Sequence, residues 1–365
     1  MKFRCERDTL ADAIATAQRA VASRSGALPV LSGLRVSAVQ AGIELIGSDL
    51  ELTIRVVGPS QVEGEGSAVI PARLFSDTVH KLDAGPVTVD LRDESAHVEA
   101  GRFRADLRTL SAADFPRLSE PSGAAVKVAA GSLSDALRQV VPAASKDDAR
   151  PILTGVLLTA SGGGLRLVAT DSYRLAVRDL HGVSMLGEGQ KVLVAAKGLG
   201  EVQRLLGQEE IEVLLGEREV TFRISNTSVT TRLIEGDFPN YEQLIPSGYP
   251  NRLTVSRELL AAAVNRVRLV GQGRDTAPIR LAMSAEGLEL SAVAQDVGEA
   301  HESVEAKYEG SDLTVAFNSQ FLLEGIEATG TTEVVIESID PLKPAVLRGT
   351  DNTDFLYLLM PVRIS

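Results

Sequence analysis

The side chains that could act as ligands, acids or nucleophiles are few and scattered. Four histidines, His80, His97, His181 and His301, share no metal-ligand spacing with one another or with the single cysteine, Cys5. Asp147-Asp148 and Glu209-Glu210 lie beside predicted loops and read as solvated turns rather than a catalytic carboxylate pair. Gly162-Gly163-Gly164 falls in a strand–strand turn, Gly271-Gln272-Gly273 is not a strand-to-helix phosphate loop, and there is neither a Walker loop nor a Gly-x-Ser-x-Gly elbow. No cofactor is expected. The chain reads as a scaffold or binding protein, not an enzyme.

The other chemistry available is positive charge. Net charge is −12, which argues against a simple nucleic-acid binder. Distribution matters more than the sum. Arg19, Arg24, Arg73, Lys81, Arg138, Lys146, Arg150, Lys197, Arg204, Arg257, Arg266, Arg268 and Arg274 sit on or just after predicted helices, while Glu44, Glu51, Asp90, Asp93, Glu94, Glu217, Glu286 and Glu289 mark strands and turns. Helices sharing one face would make it less acidic than the rest, able to attract phosphates without reading sequence. The plainer reading is that these are solvated helix faces.

Those helices recur. Asp114-Phe115-Pro116 returns 123 residues later as Asp237-Phe238-Pro239, and Pro361 follows Pro239 by 122. Asp49, Asp171 and Asp296 are spaced by 122 and 125; Ala72-Arg73, Ala196-Lys197 and Asn318-Ser319 by 124 and 122. A period this long is a small domain rather than a solenoid unit. It divides the chain into 1–120, 121–247 and 248–365.

The first repeat predicts a strand over 2–6, then a helix capped by Asp8 or Thr9 running to about Ala22, with Leu10, Ile14, Ala17 and Val21 on one face. Strands follow over 34–38, 43–47 and 51–57. A helix over 72–82 opens after Pro71, and three strands lie between 87 and 107. The second repeat has a helix from Ser132, with Asp135 completing a capping box, and another over 199–206. The third has a helix from Ser256 to about Val270 and one starting near Asn318. Two helices on a mostly antiparallel sheet make a two-layer α+β domain, three times over. One cysteine excludes an internal disulfide. No stretch approaches the roughly 20 apolar residues of a membrane span, and the start lacks a signal-peptide core, so a cytoplasmic chain is expected.

The most specific stretch is Ala169-Thr170-Asp171-Ser172-Tyr173-Arg174-Leu175-Ala176-Val177. With Leu28-Pro29-Val30-Leu31, Gly47-Ser48-Asp49-Leu50-Glu51, Pro71-Ala72-Arg73, Thr109–Pro116, Phe238-Pro239-Asn240-Tyr241, Phe317-Asn318 and Tyr357–Arg363, it makes the chain resemble, along its whole length, the bacterial sliding clamps, the beta subunit of DNA polymerase III. The resemblance implies a non-catalytic accessory subunit of the holoenzyme: a head-to-tail homodimeric ring of six domains that encircles duplex DNA. It implies DNA contacts at Arg24, Arg73, Lys146, Arg150 and Lys197. The strand around Arg104–Arg108 would pair with a third-domain edge strand of a second copy, with Leu107, Leu269 and Val270 as the apolar core.

The resemblance also implies a pocket for short peptides from polymerases, the clamp loader and repair proteins. Its lining would be Leu153, Thr170, Ser172, Tyr173, Arg174, Leu175, Pro239, Leu244, Asn318, Phe321, Val346, Met360, Pro361, Val362 and Arg363, with Arg174 and Arg363 as polar anchors at the rim. Without the family these read as core and terminal-strand residues. Gln243 and Tyr173 depart from the basic residue and histidine of some members. A paralogous clamp, adapting repair or drug-resistance partners, would keep the same features.

Overall fold

The computed structural model describes residues 1–22, 28–92, 94–271, 278–294 and 297–363. In chain order the first third gives β1 (Lys2–Glu6), α1 (Arg7–Gln18), β2 (Gly33–Val39), β3 (Gly42–Ser48), β4 (Leu52–Gly58), β5 (Gln61–Glu63), β6 (Ser67–Pro71), α2 (Ala72–His80), β7 (Pro86–Arg92), β8 (Ser95–Ala100) and β9 (Phe103–Arg108). The middle gives β10 (Ala125–Ala129), α3 (Ala130–Val140), β11 (Gly155–Ser161), β12 (Gly164–Thr170), β13 (Arg174–Leu180), β14 (Lys191–Ala195), α4 (Ala196–Leu205), β15 (Glu210–Leu215), β16 (Glu219–Ile224) and β17 (Thr227–Arg232). The last third gives β18 (Asn251–Ser256), α5 (Arg257–Val267), β19 (Pro278–Ser284), β20 (Gly287–Ala294), β21 (Gly298–Val304), β22 (Ala306–Glu309), β23 (Leu313–Asn318), α6 (Ser319–Thr329), β24 (Glu333–Ser338), β25 (Ala345–Gly349) and β26 (Asn352–Leu359).

The repeat markers have structural causes. Ala72, Ala196 and Ser319 are the first residues of α2, α4 and α6. Asp49 and Asp171 make the same turn between successive strands. Asp49 Oδ1 accepts the Glu51 and Leu52 amides at 3.1 and 2.8 Å, and Asp171 Oδ1 accepts those of Tyr173 and Arg174 at 2.9 and 3.0 Å. Ahead of each, a hydroxyl, on Ser48 or Thr170, accepts the amide two residues on, at 3.1 and 3.2 Å. Leu50 and Ser172 pass through the left-handed region with φ of 76° and 80°, where a side chain is held only if its surroundings impose it. Asp296, the third such residue, lies outside the described residues, as do Arg24, Asp93, Gln272, Gly273 and Arg274.

Several element ends differ from expectation. α1 starts at Arg7 with no side-chain cap, places Asp8 in its first turn, and stops at Gln18 rather than Ala22. α3 begins at Ala130, so Ser132 and Asp135 lie inside it and form no capping box. α4 starts at Ala196 instead of Leu199. α2 ends at His80 rather than Leu82. The Ser256 cap is present, its Oγ accepting the Leu259 amide at 3.5 Å, but α5 ends at Val267 and continues only as a 3-10 turn to Gly271. Strands β5, β14, β22 and β23 are absent from the expected elements, although β14 is a β-branched apolar run and β23 alternates Leu313, Val315 and Phe317. β5 and β22 are short and polar, and β14 follows a glycine-containing loop. Gly162 and Gly163, with φ of 55° and 79°, make the expected turn from β11 to β12.

The chain packs as two compact units: Met1–Gly131 with Lys197–Leu233, and Ser132–Ala196 with Ile234–Ser365. In the first, α1, α2 and α4 accompany a five-stranded sheet, β5-β1-β7-β8-β9, and an eight-stranded sheet, β10-β15-β16-β17-β4-β3-β2-β6. In the second, α3, α5 and α6 accompany a nine-stranded sheet, β14-β11-β12-β13-β26-β25-β24-β18-β22, and a four-stranded sheet, β21-β20-β19-β23. Three repeats pack as two units because strands of neighbouring repeats join. β4 pairs antiparallel with β17, Thr53 opposite Thr230, and β13 pairs with β26, Leu175 opposite Leu358. The apolar faces are continuous: Leu10, Ile14 and Ala17 of α1 with Phe75 and Val79 of α2, and Leu260 and Val264 of α5 with Leu322 and Ile326 of α6. Among the described residues no helix is long and apolar enough to cross a membrane.

The β13–β26 seam carries a buried charge. Arg174, with 6% of its side chain exposed, donates from Nε to Asp171 Oδ2 at 3.0 Å, from Nη1 to Glu324 and to Tyr357 Oη at 3.4 Å, and from Nη2 to the Pro142 carbonyl. Its guanidinium carbon lies 4.2 Å from the Phe321 ring centroid, a cation–π contact. Burial works against that charge, but the Tyr357 and Glu324 oxygens more than restore it and raise its pKa. Burial pushes the Tyr357 hydroxyl well above its usual range, so it stays a donor, bonding the Phe321 carbonyl at 2.9 Å.

Two outcomes follow for stability. Asp171→Ala leaves the buried guanidinium short of an anion and is expected to cost about 3 kcal/mol, whereas Asp49→Ala, with its lysine partner exposed, should cost about 1 kcal/mol. Urea unfolding of the full chain measures both, and equal losses would remove the distinction. A Cβ on Gly325 would stand 2.5 Å from the Tyr357 ring. Gly325→Ala should therefore lower stability by about 1–3 kcal/mol, although alanine is the better helix former. A raised melting temperature would mean that α6 does not rest on that ring.

Candidate functional site

The turn from β12 to β13 builds one wall of the site. Thr170 Oγ1 donates to the Arg174 carbonyl at 2.6 Å, and the left-handed Ser172 turns Tyr173 outward until it is 61% exposed. The Met360 amide donates to the Tyr173 carbonyl at 2.9 Å, and the Val362 amide donates to Ala316 on β23 at 2.8 Å. Those two bonds hold Met360, Pro361 and Val362 beside Tyr173. The floor is one apolar cluster: Leu157, Val168, Leu175, Val177, Leu193, Tyr241, Val346 and Leu358, with Ile152, Phe238, Ile245, Tyr249 and Leu356 packed on it.

The fifteen expected lining residues all belong to the second unit and divide by burial. Tyr173, Leu244 and Met360 are exposed apolar groups at 61%, 49% and 38%, a combination that marks interaction surfaces. Ser172, Pro239 and Arg363 are also exposed. Leu153, Asn318, Phe321, Pro361 and Val362 are half-buried. Thr170, Arg174, Leu175 and Val346 are buried and support the floor rather than line an opening. Arg174 is therefore corrected from a rim anchor to an internal pillar, since each of its three guanidinium nitrogens donates to a protein acceptor. Asn318 caps α6, accepting the Gln320 and Phe321 amides at 3.0 Å each. Leu153, Pro239 and Leu244 each adjoin a residue, Ile152, Phe238 or Ile245, that packs on the floor.

The expected lining leaves out Tyr241, Ile245, Tyr249, Leu356 and Leu358. A signal was present for the first. Phe238 belongs to the repeated Asp-Phe-Pro marker and meets Tyr241 edge-on, with ring centroids 6.5 Å apart. Phe238 is half-buried, whereas Phe115 of the earlier marker is buried, against Val30, Leu31, Ile46 and Val69.

The expected DNA-contacting cations are mostly engaged. Arg73 is 93% exposed and lies 3.9 Å from Asp77. Lys197 meets Asp49. Arg150 donates to Asp147 at 2.9 Å and Ser172 Oγ at 3.2 Å, so it braces the Tyr173 turn. The Ala149 amide and Arg150 hold the Asp147 carboxyl below the usual carboxylate range. Lys146 is exposed. Three histidines have carboxylate neighbours of their own: Asp106 for His97, Asp354 for His181 at 3.0 Å, and Glu289 for His301 at 3.3 Å.

Of the three residues expected between copies, Leu269 is 54% exposed and Val270 half-buried. Leu107 is only 5% exposed, because it points into the core of its own unit. The apolar side chain that β9 presents is Phe103, at 43%.

Comparison with known proteins covers the whole chain. Residues 1–119, 127–240 and 242–363 match the N-terminal, central and C-terminal domains of the DNA polymerase III beta subunit. The beta sliding clamp of Streptomyces coelicolor is 35% identical, and that of Synechococcus elongatus 32% identical, each over 100% of both chains. The crystal structure of the Bacillus subtilis DNA polymerase sliding clamp superposes with a TM-score of 0.91 at 27% identity, and that of the Pseudomonas aeruginosa sliding clamp bound to griselimycin with 0.90 at 30%, each over 100% of both chains. The chain, with its three α+β clamp domains, belongs to the DNA polymerase III beta subunit family, the bacterial sliding clamps.

Proposed function

We propose that the chain is the processivity factor of a replicative DNA polymerase: two copies close head to tail into a ring that surrounds duplex DNA, slides along it and tethers the polymerase. The observation that carries this is the end-to-end relation to beta sliding clamps, over the full length of both partners in each comparison. A paralogous adaptor for repair or drug resistance is not favoured. The domain division at 1–120, 121–247 and 248–365 belongs to this reading, as do a non-catalytic role in the holoenzyme and a cytoplasmic location.

The open sheet edges support the head-to-tail contact. β9 and β21 each end a sheet, whereas β23, the other end of the four-stranded sheet, already receives the Val362 amide. β9 carries Arg104 and Arg108, and β21 carries Glu299 and Glu302. Unpaired edges of opposite charge favour pairing with each other over self-pairing. A contact between unlike surfaces closes into a ring when its rotation closes. Encirclement makes tight phosphate contacts unnecessary, and carboxylate-paired cations such as Arg73 and Lys197 suit weak, salt-sensitive sliding.

Partner peptides, from the polymerase alpha subunit, the clamp loader and repair polymerases, would seat on Tyr173, Leu244, Met360 and Pro361, over the apolar floor. An exposed aromatic with a thioether beside it adapts to varied apolar side chains.

Two measurements test this reading. Met360→Ala combined with Pro361→Ala should weaken a fluorescent clamp-binding peptide by more than tenfold in anisotropy while the dimer persists in sedimentation; unchanged affinity would remove the pocket. Clamp loaded onto nicked circular plasmid should be lost when the plasmid is linearised and kept when it is not. Equal retention on both forms would mean surface binding rather than encirclement.

A further inference from the structure

The peptide floor of the second unit has a counterpart in the first, built on the same backbone with different side chains. In the second unit, the β13–β26 seam sets Leu175 opposite Leu358 and Val177 opposite Leu356, and all four belong to the apolar floor. In the first unit, the β4–β17 seam sets Thr53 opposite Thr230 and Arg55 opposite Ser228. The turns entering β4 and β13 are the matched Asp49 and Asp171 turns, and Thr53 and Arg55 precede Leu175 and Val177 by the repeat spacing of 122 residues. Four apolar positions have become two hydroxyl-bearing threonines, a serine and an arginine. The segment 117–121 borders them and adds Arg117, and Arg232 at the end of β17 adds a third guanidinium.

We infer that this cleft of the first unit is a binding site for a single phosphate-class oxyanion. Its lining brings Arg55, Arg117 and Arg232 together with the hydroxyls of Thr53, Ser228 and Thr230. The volume is about 90 Å³, small enough to suit one compact anion rather than a run of apolar side chains. Arg55 is already paired with Glu44 at 3.1 Å and lies 3.7 Å from Glu120 in the bordering segment, and Arg232 lies 3.4 Å from Glu51. Arg117 is exposed and has no ion pair among the described residues, so its fork is the one left to take a ligand bidentately. The carboxylate in the lining itself is Glu219, half-buried and cross-strand to Arg232. The inference does not depend on the peptide pocket being occupied; it uses only the shared backbone.

The test is a titration of the full-length dimer with inorganic phosphate, followed by 31P line broadening at constant ionic strength. Arg117→Gln should weaken binding at least tenfold, and Glu219→Gln should tighten it several-fold. Arg4→Gln, which removes the same charge from an exposed position on β1, should leave it unchanged. Arg117 is exposed, so its variant is expected to fold; thermal melts confirm that. Equal weakening by Arg117→Gln and Arg4→Gln, or no effect of Glu219→Gln, would reduce the site to general surface attraction and overturn the proposal. A phosphoserine tripeptide competing with inorganic phosphate and binding more tightly would assign the site to a phosphorylated partner. Competition at equal or lower affinity would assign it to free phosphate, and no binding of either at tens of millimolar would overturn it.

Discussion

The guanidinium of Arg174 is the constraint on which the second unit turns. A desolvated cation is tolerated only when anions and acceptors surround it, and these come from four parts of the chain: Asp171 in its own turn, the Pro142 carbonyl after α3, Glu324 on α6, and the Tyr357 hydroxyl on β26. Satisfying one charge therefore fixes the β13–β26 register, the seat of α6 and the approach of α3. Gln139 adds to this by donating to the Ala328 carbonyl at 2.7 Å. Tyr173 and Met360 are exposed in a defined arrangement because the residues beside them, Arg174 and Leu359, are cross-strand partners in that seam. The rigidity of the apolar surface is borrowed from a buried ion cluster beneath it.

What could be read from the residues and what could not follows from sequence range. The Asp49 and Asp171 turns bond within three residues, and the helix starts at Ala72 and Ser319 are local, so both recur at the repeat spacing and are legible; Ala196 recurs there too, although the helical pattern is read only from Leu199. The Ser256 cap is legible for the same reason. Ser132 misleads because its pattern is local while α3 begins two residues earlier, where β10 delivers the chain. Arg174 is misplaced at the rim because its deciding partner, Glu324, lies 150 residues away, beyond any pattern of spacing. Leu107 fails similarly: alternation along β9 puts it on the same face as Phe103, and only the packed sheet shows that this face is covered at Leu107 and open at Phe103. Tyr241 and Leu358 of the apolar floor are ordinary residues that only the fold brings together.

The charge distribution has a comparable logic. The net charge of −12 would repel a polyanion at long range, and many helix cations have a carboxylate close by: Arg204 with Glu201 at 3.0 Å, Arg138 with Asp135 at 3.6 Å, Arg73 with Asp77 at 3.9 Å. Exposed pairs of this kind contribute about 1 kcal/mol or less to stability. Their other effect is to lower the affinity of each cation for phosphate. A protein that holds DNA by affinity would leave such cations unpaired; one that holds it topologically benefits from damping them. The acidic total and the paired helix cations are then one adaptation.

The two strand seams show how a duplicated framework divides its work. Turn, register and strand order are the same around Asp49 and Asp171, because backbone bonding to an aspartate does not depend on the residues that follow it. The outward positions are free of that constraint. Leucine and valine in the second unit draw in the 234–245 segment, whose Phe238, Tyr241 and Ile245 cover them. In the first unit threonine, serine and arginine occupy those places, and Phe115 packs instead with Val30, Leu31, Ile46 and Val69. The covering segment is thus anchored elsewhere, and the seam beneath it keeps a polar opening. The same fold yields an apolar floor in one repeat pair and a polar cleft in the other, and side chains on two paired strands decide which.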